Sequence, residues 1–124
     1  MINGTKVICL CGSTRFTNEM LILIWELAKE GILALGWCVL PTNHNANGLE
    51  IDHHLAEKEG VADILDELHL RKIDLADEIL VVNVGGYIGD GTKREIAYAK
   101  SQNKPVNYLE FSRMIWSYES INSM

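Results

Sequence analysis

The sequence lacks an excess of positive charge: eleven Lys and Arg stand against seventeen Asp and Glu, a formal charge of −6. Such a chain repels a phosphate backbone unless its cations cluster, so nucleic-acid polymers are poor partners. A small anionic ligand remains open, because one or two placed cations and a helix N-terminus suffice for a single phosphate. Long apolar runs are missing too. The longest helical one, Met20 to Ala28, is interrupted by Glu26 and is too short to span a bilayer. Met1 to Lys6 is short and polar, unlike a secretory signal. Nor are there paired cysteines. Cys9, Cys11 and Cys38 are odd in number and have no CxxC spacing, which argues against a disulfide framework and reads as buried filling in a reducing compartment. Cys9 and Cys11 would share one strand face, but without a second ligand pair in sequence no metal and no cofactor is expected. The expectation is a cytoplasmic protein with no membrane partner.

What is present is ordinary globular composition, 48% hydrophobic and 23% charged, with no low-complexity block. A chain of 124 residues builds one core, so residues 1–124 are read as a single domain.

Lys6 to Cys11 is a continuous apolar run that ends in Gly12-Ser13-Thr14-Arg15, as for a strand buried on both faces and its turn. Phe16 to Lys29 predicts a helix that is apolar around much of its circumference, which suggests a homo-oligomer, a dimer or higher. Gly31 to Leu40 reads as a second strand. Pro41 to Gly60 has no periodicity and is long for a connector, a length that often marks a lid or binding loop. Val61 to Ala76 predicts an amphipathic helix with Val61, Ile64, Leu65, Leu68, Leu75 and Ala76 on its apolar stripe. Glu78 to Val84 is a third strand, Thr92 to Asn103 a helix, and Val106 to Leu109 a last strand; Phe111 to Tyr118 suits a short terminal helix. Alternating apolar strands and helices specify an α/β, doubly wound, flavodoxin- or Rossmann-like parallel sheet of four to five strands with helices on both faces. In such sheets ligands sit beyond the carboxyl ends of the strands, where strand order reverses. That rule selects the loops after the first and third strands.

The first of these, Gly12-Ser13-Thr14-Arg15, offers backbone N–H groups, two hydroxyls and a guanidinium as an anion cradle; equally, Ser13 or Thr14 simply caps the helix. The second places Gly85, Gly86, Gly89 and Gly91 among Tyr87, Ile88 and Asp90, four glycines in seven residues, so that backbone can approach a ligand closely. Thr92-Lys93-Arg94-Glu95 follows. It fits a capping box, with Glu95 bonding back to the Thr92 amide. It also fits a carboxylate held over the sheet edge, able to attack an anomeric carbon. Ser13, Arg15 and Lys93 suggest a preference for a phosphate, and Phe16 and Tyr87 are candidates to stack on a base.

Leu70 to Leu109, LRKIDLADEILVVNVGGYIGDGTKREIAYAKSQNKPVNYL, together with the CGSTR turn, resembles the nucleoside 2-deoxyribosyltransferase superfamily, which includes deoxynucleoside 5′-monophosphate N-glycosidases. The shared pattern is Ala76-Asp77 before a strand, the Gly-rich loop, Glu95-Ile96-Ala97-Tyr98-Ala99, and Asn103-Lys104-Pro105-Val106. The resemblance implies a nucleoside or nucleotide substrate and Glu95 as the nucleophile that forms a glycosyl-enzyme intermediate, released to water or to a second base. Two positions depart from it. Counting back eight residues from Asp77, where the family carries Asp, lands on His69, and Asp66 lies one turn earlier; either is a candidate to assist as acid or ligand contact. Lys93-Arg94 replace a frequent glycine.

A second resemblance is to the phosphoribohydrolases that release cytokinin bases. Their Gly-Gly-x-Gly-Thr-x-x-Glu motif is echoed by Gly85-Gly86 and Gly91 to Glu95, with Arg71-Lys72 upstream and three extra residues between Gly86 and Gly91. From another class, a catalytically silent nucleotide sensor would keep the pocket and lose the acid, as His69 suggests.

Overall fold

Strands that are apolar at every position need cover on both faces, and the chain order supplies it. The computed structural model describes residues 1–45 and 48–109. Along them run β1 (Val7–Gly12), α1 (Thr17–Lys29), β2 (Leu33–Leu35), β3 (Thr42–Asn45), β4 (Gly48–Ile51), α2 (Leu55–Lys58), α3 (Ala62–Leu75), β5 (Glu78–Val82), α4 (Asp90–Ser101) and β6 (Val106–Leu109). Four strands form an all-parallel sheet in the order β2-β1-β5-β6. The fold is therefore doubly wound α/β. Strand order reverses between β1 and β5, so the ligand crevice of this architecture lies at their carboxyl ends.

One face of the sheet presents Ile8, Leu10, Leu80 and Val82 to Met20, Leu23 and Leu27 of α1, together with Phe16 and Trp37. The other presents Val7, Cys9, Cys11, Ile79 and Val81 to Ile73 of α3 and Ile96 and Ala99 of α4. Both faces exclude water, which stabilises by roughly 25 cal/mol for each Å² of apolar surface buried.

Local chemistry fixes the joints. Ser13 Oγ accepts the Arg15 N–H at 3.3 Å and so caps the short 3-10 turn Thr14–Phe16 that leads into α1. Asp77 clamps the entry to β5: its amide donates to the Val7 carbonyl at 2.8 Å and its carboxylate accepts the Val7 N–H at 2.8 Å. Lys104 Nζ donates to the Ala76 and Asp74 carbonyls at 2.7 and 3.2 Å, placing a cation at the negative end of α3.

Several element boundaries differ from expectation. The second strand pairs over Leu33–Leu35 alone, and Gly36 to Leu40 continues outside the ladder. Pro41 to Gly60 is not an unstructured loop: β3 and β4 form an antiparallel hairpin, and α2 follows. The third strand ends at Val82, because Val84 begins a 3-10 turn in which Gly85 takes φ +64°, a conformation that favours glycine. In α3 the expected stripe is rotated. His69, Ile73 and Ala76 are buried, whereas Ile64 is 65% exposed and Leu68 and Leu75 also face solvent. On α1, Leu21 and Trp25 are likewise exposed. The segment Phe111 to Tyr118 lies outside the described residues. Among the described residues no helix is long and apolar enough to cross a membrane.

Candidate functional site

The loops after β1 and β5 meet α3 around a cavity of about 320 Å³, at the low end of the range for small-molecule sites. Gly12, Ser13 and Thr14 supply one wall, Gly89, Gly91, Thr92, Arg94 and Glu95 a second, and Asp66, His69 and Lys72 a third. Gly12 is required there: a Cβ would lie 2.9 Å from the Val82 carbonyl oxygen and 3.0 Å from the Trp37 ring. Trp37, Cys38 and Leu40 line the same cavity, as do His53, Ala56 and Glu57 from the segment after the hairpin.

Glu95 does not cap its helix. α4 begins at Asp90, with Gly89 extended at the N-cap position, and the Lys93 N–H donates to the Gly89 carbonyl at 3.0 Å. Thr92 therefore sits inside the first turn and is buried, and Glu95 falls in the second turn, past the reach of a capping box. Its Oε1 lies 3.8 Å from His69 Nε2, with the side chain 18% exposed. The same Nε2 stands 3.6 Å from Cys9 Sγ and 3.5 Å from Cys11 Sγ. A carboxyl, an imidazole and two thiols thus converge under the cavity floor. His69 Nδ1 is buried and has no hydrogen-bond partner among the described residues.

Burial shapes the charge states. Desolvation pushes the Glu95 carboxyl up to about 7, against the pull of His69. The two thiols shift in opposite directions. Cys9 is drawn down to about 6, first by the hydrogen bond from Cys11 and further by His69, in spite of burial. Cys11, the donor of that bond and deeply buried, is pushed up. For His69, burial lowers the imidazole pKa, but Cys9 and Glu95 outweigh it and the net direction is upward.

Other predicted site residues lie elsewhere. Arg15 does not line the cavity; its guanidinium stacks 3.8 Å over the Tyr87 ring. Tyr87 in turn packs edge-on to Phe16, ring centroids 6.0 Å apart, and Phe16 belongs to the apolar core. Gly85, Gly86, Asp90 and Lys93 are exposed and do not line it either. On a helix successive residues point 100° apart, so Glu95 facing inward brings Gly91 and Arg94 to the cavity and turns Lys93 away. The cations that line the cavity are Arg94 and Lys72, whose Nζ donates to the Gly36 carbonyl at 3.0 Å. Arg71 faces outward, paired with Glu67 and Asp74.

Sequence reasoning missed Trp37, Lys72 and His53. The His53 ring nitrogen Nδ1 lies 3.0 Å from Thr14 Oγ1, tying the segment after the hairpin to the first loop. A second cavity, also about 320 Å³, shares Asp66, Gly91, Arg94 and Glu95 with the first, so Glu95 borders both. Neither a protein-family model nor a curated protein matches the chain.

Proposed function

We propose that the protein cleaves or exchanges the base at the N-glycosidic bond of a (deoxy)nucleoside or its 5′-monophosphate, through a glycosyl intermediate on Glu95. The observation that carries this reading is the position of Glu95: released from any capping role, it borders the cavity at the carboxyl ends of β1 and β5. In the proposed reaction a Glu95 oxygen bonds to C1′ as the C1′–N bond breaks, and the electron pair leaves with the base, which takes up a proton. Asp66 lines the cavity, and in this reading it meets the base. His69, 3.8 Å from the carboxylate, acts as a positioning residue that favours its ionised form. Water or a second base then displaces Glu95 from C1′.

The ligand class is supported by the chemistry of the walls. The Gly12 to Thr14 turn, Lys72 and Arg94 offer backbone N–H groups and two cations to a phosphate, replacing Arg15 and Lys93 in that role. Three free cysteines suit a reducing, cytoplasmic setting. Exposed Leu21 and Trp25 on α1 suit contact with a second copy.

Incubation with deoxynucleosides, ribonucleosides and their 5′-monophosphates, with free base as the readout, tests the reading. Base release that disappears in Glu95→Ala is expected. Tight binding with no release, unchanged by Glu95→Ala, would overturn catalysis and leave the nucleotide-sensor reading, which the presence of His69 at the position of the family's Asp favours.

A further inference from the structure

Cys9 and Cys11 of β1 meet His69 of α3 on the sheet face that α3 and α4 cover. Side-chain alternation sends both thiols of β1 to one face, and α3 lays the imidazole over them. All three residues are buried, and one ligand atom from each lies within 4.8 Å of the other two.

The spacing fits one ion bound by all three. With Zn–S of about 2.3 Å and Zn–N of about 2.0–2.1 Å at tetrahedral angles, sulfur and nitrogen stand about 3.5 Å apart. The observed Sγ to Nε2 separations are 3.6 Å for Cys9 and 3.5 Å for Cys11. Glu95 Oε1 lies 3.8 Å from the same nitrogen, beside the three-residue group and not part of it.

We propose that Cys9, Cys11 and His69 bind one zinc ion. Two thiolates and an imidazole select a borderline-soft divalent ion over magnesium or calcium. Binding releases the thiol protons, and the ring proton resides on Nδ1 so that the Nε2 lone pair points to the metal.

Cobalt(II) titration of the reduced, chelator-treated full chain is the direct test. One equivalent is expected to produce thiolate-to-cobalt charge-transfer and tetrahedral ligand-field absorption, and zinc is expected to displace it. Cys38→Ser should bind as the parent does, whereas Cys9→Ser, Cys11→Ser and His69→Gln should each weaken binding by about a hundredfold or more. Because a core substitution can unfold the chain, X-ray absorption of the zinc-loaded parent provides a second readout, with two sulfur scatterers at about 2.3 Å and an imidazole nitrogen expected. Absence of charge-transfer absorption at one equivalent, or its persistence in both Cys9→Ser and Cys11→Ser, overturns the proposal. Base release is assayed separately on metal-free protein, so a silent enzyme with intact cobalt binding refutes the glycosidase reading alone.

Discussion

The two faces of the central sheet are equally dry but chemically opposite. Beneath α1, Ile8, Leu10, Leu80 and Val82 meet aliphatic side chains, the Met20 thioether, an indole and a phenyl ring. Beneath α3 and α4, the alternate residues of the same β1 strand are Val7, Cys9 and Cys11, and the two thiols meet an imidazole that stands 3.8 Å from a carboxyl. One face supplies stability, and the other holds groups whose charge state depends on their neighbours. Burial that is favourable on the first face raises the cost of ionisation on the second.

The largest break in this comparison is expected at Glu95. Replacement by Gln should lower base release by about a thousandfold or more, as loss of a nucleophile does. In the metal-free parent, activity should rise with pH through about 7, because attack requires the carboxylate and the Glu95 pKa is raised to that value. The same shift acts on stability with the opposite sign. Between the ordinary 4.5 and about 7 the folded state holds a proton that the unfolded chain has released, so stability falls as pH rises across that window. Thermal melts of Glu95→Gln should lack that part of the decline.

Next in size is the hydrocarbon face. Leu10→Ala should cost about 2–5 kcal/mol in denaturant unfolding while leaving cobalt absorption and base release per folded molecule unchanged. Loss of the cobalt spectrum in that folded variant would show that the two faces are not separable. Lys72→Ala should raise KM about tenfold for a nucleoside monophosphate and much less for the nucleoside, since Lys72 lines the cavity. Arg15→Ala should have the smallest effect, about 0.5–1 kcal/mol of stability with KM unaltered, because its guanidinium is stacked on Tyr87 outside the cavity.

The architecture was legible in the alternation of apolar strands and helices, and the reversal rule pointed to the two loops from which Gly12, Gly89 and Gly91 line the cavity. Gly12, Ser13, Thr14, Gly89, Gly91, Thr92, Glu95, His69 and Asp66 all line that cavity. The rest depended on rotation and distance. Hydropathy put Ile64, Leu68 and Leu75 on the buried side of α3, yet the helix turns His69 and Ile73 inward, a polar member that an apolar count passes over. Trp37 was absorbed into a strand that pairs for only Leu33–Leu35. The junction of Cys9 with His69 spans 60 positions, and no spacing rule for metal ligands reaches that far along a chain.

Pairing in the sheet is set by the register of β1 against its neighbours, with Cys9 opposite Leu35 on one side and Ile79 on the other. A slip of one residue would invert the strand, carrying Ile8 and Leu10 to the imidazole and both thiols into the α1 hydrocarbon. Such a misfolded chain would be nearly as oily as the native one but unable to hold the proposed metal. The thiol pair therefore makes strand registration, ordinarily invisible to an assay, into something a spectrometer can read.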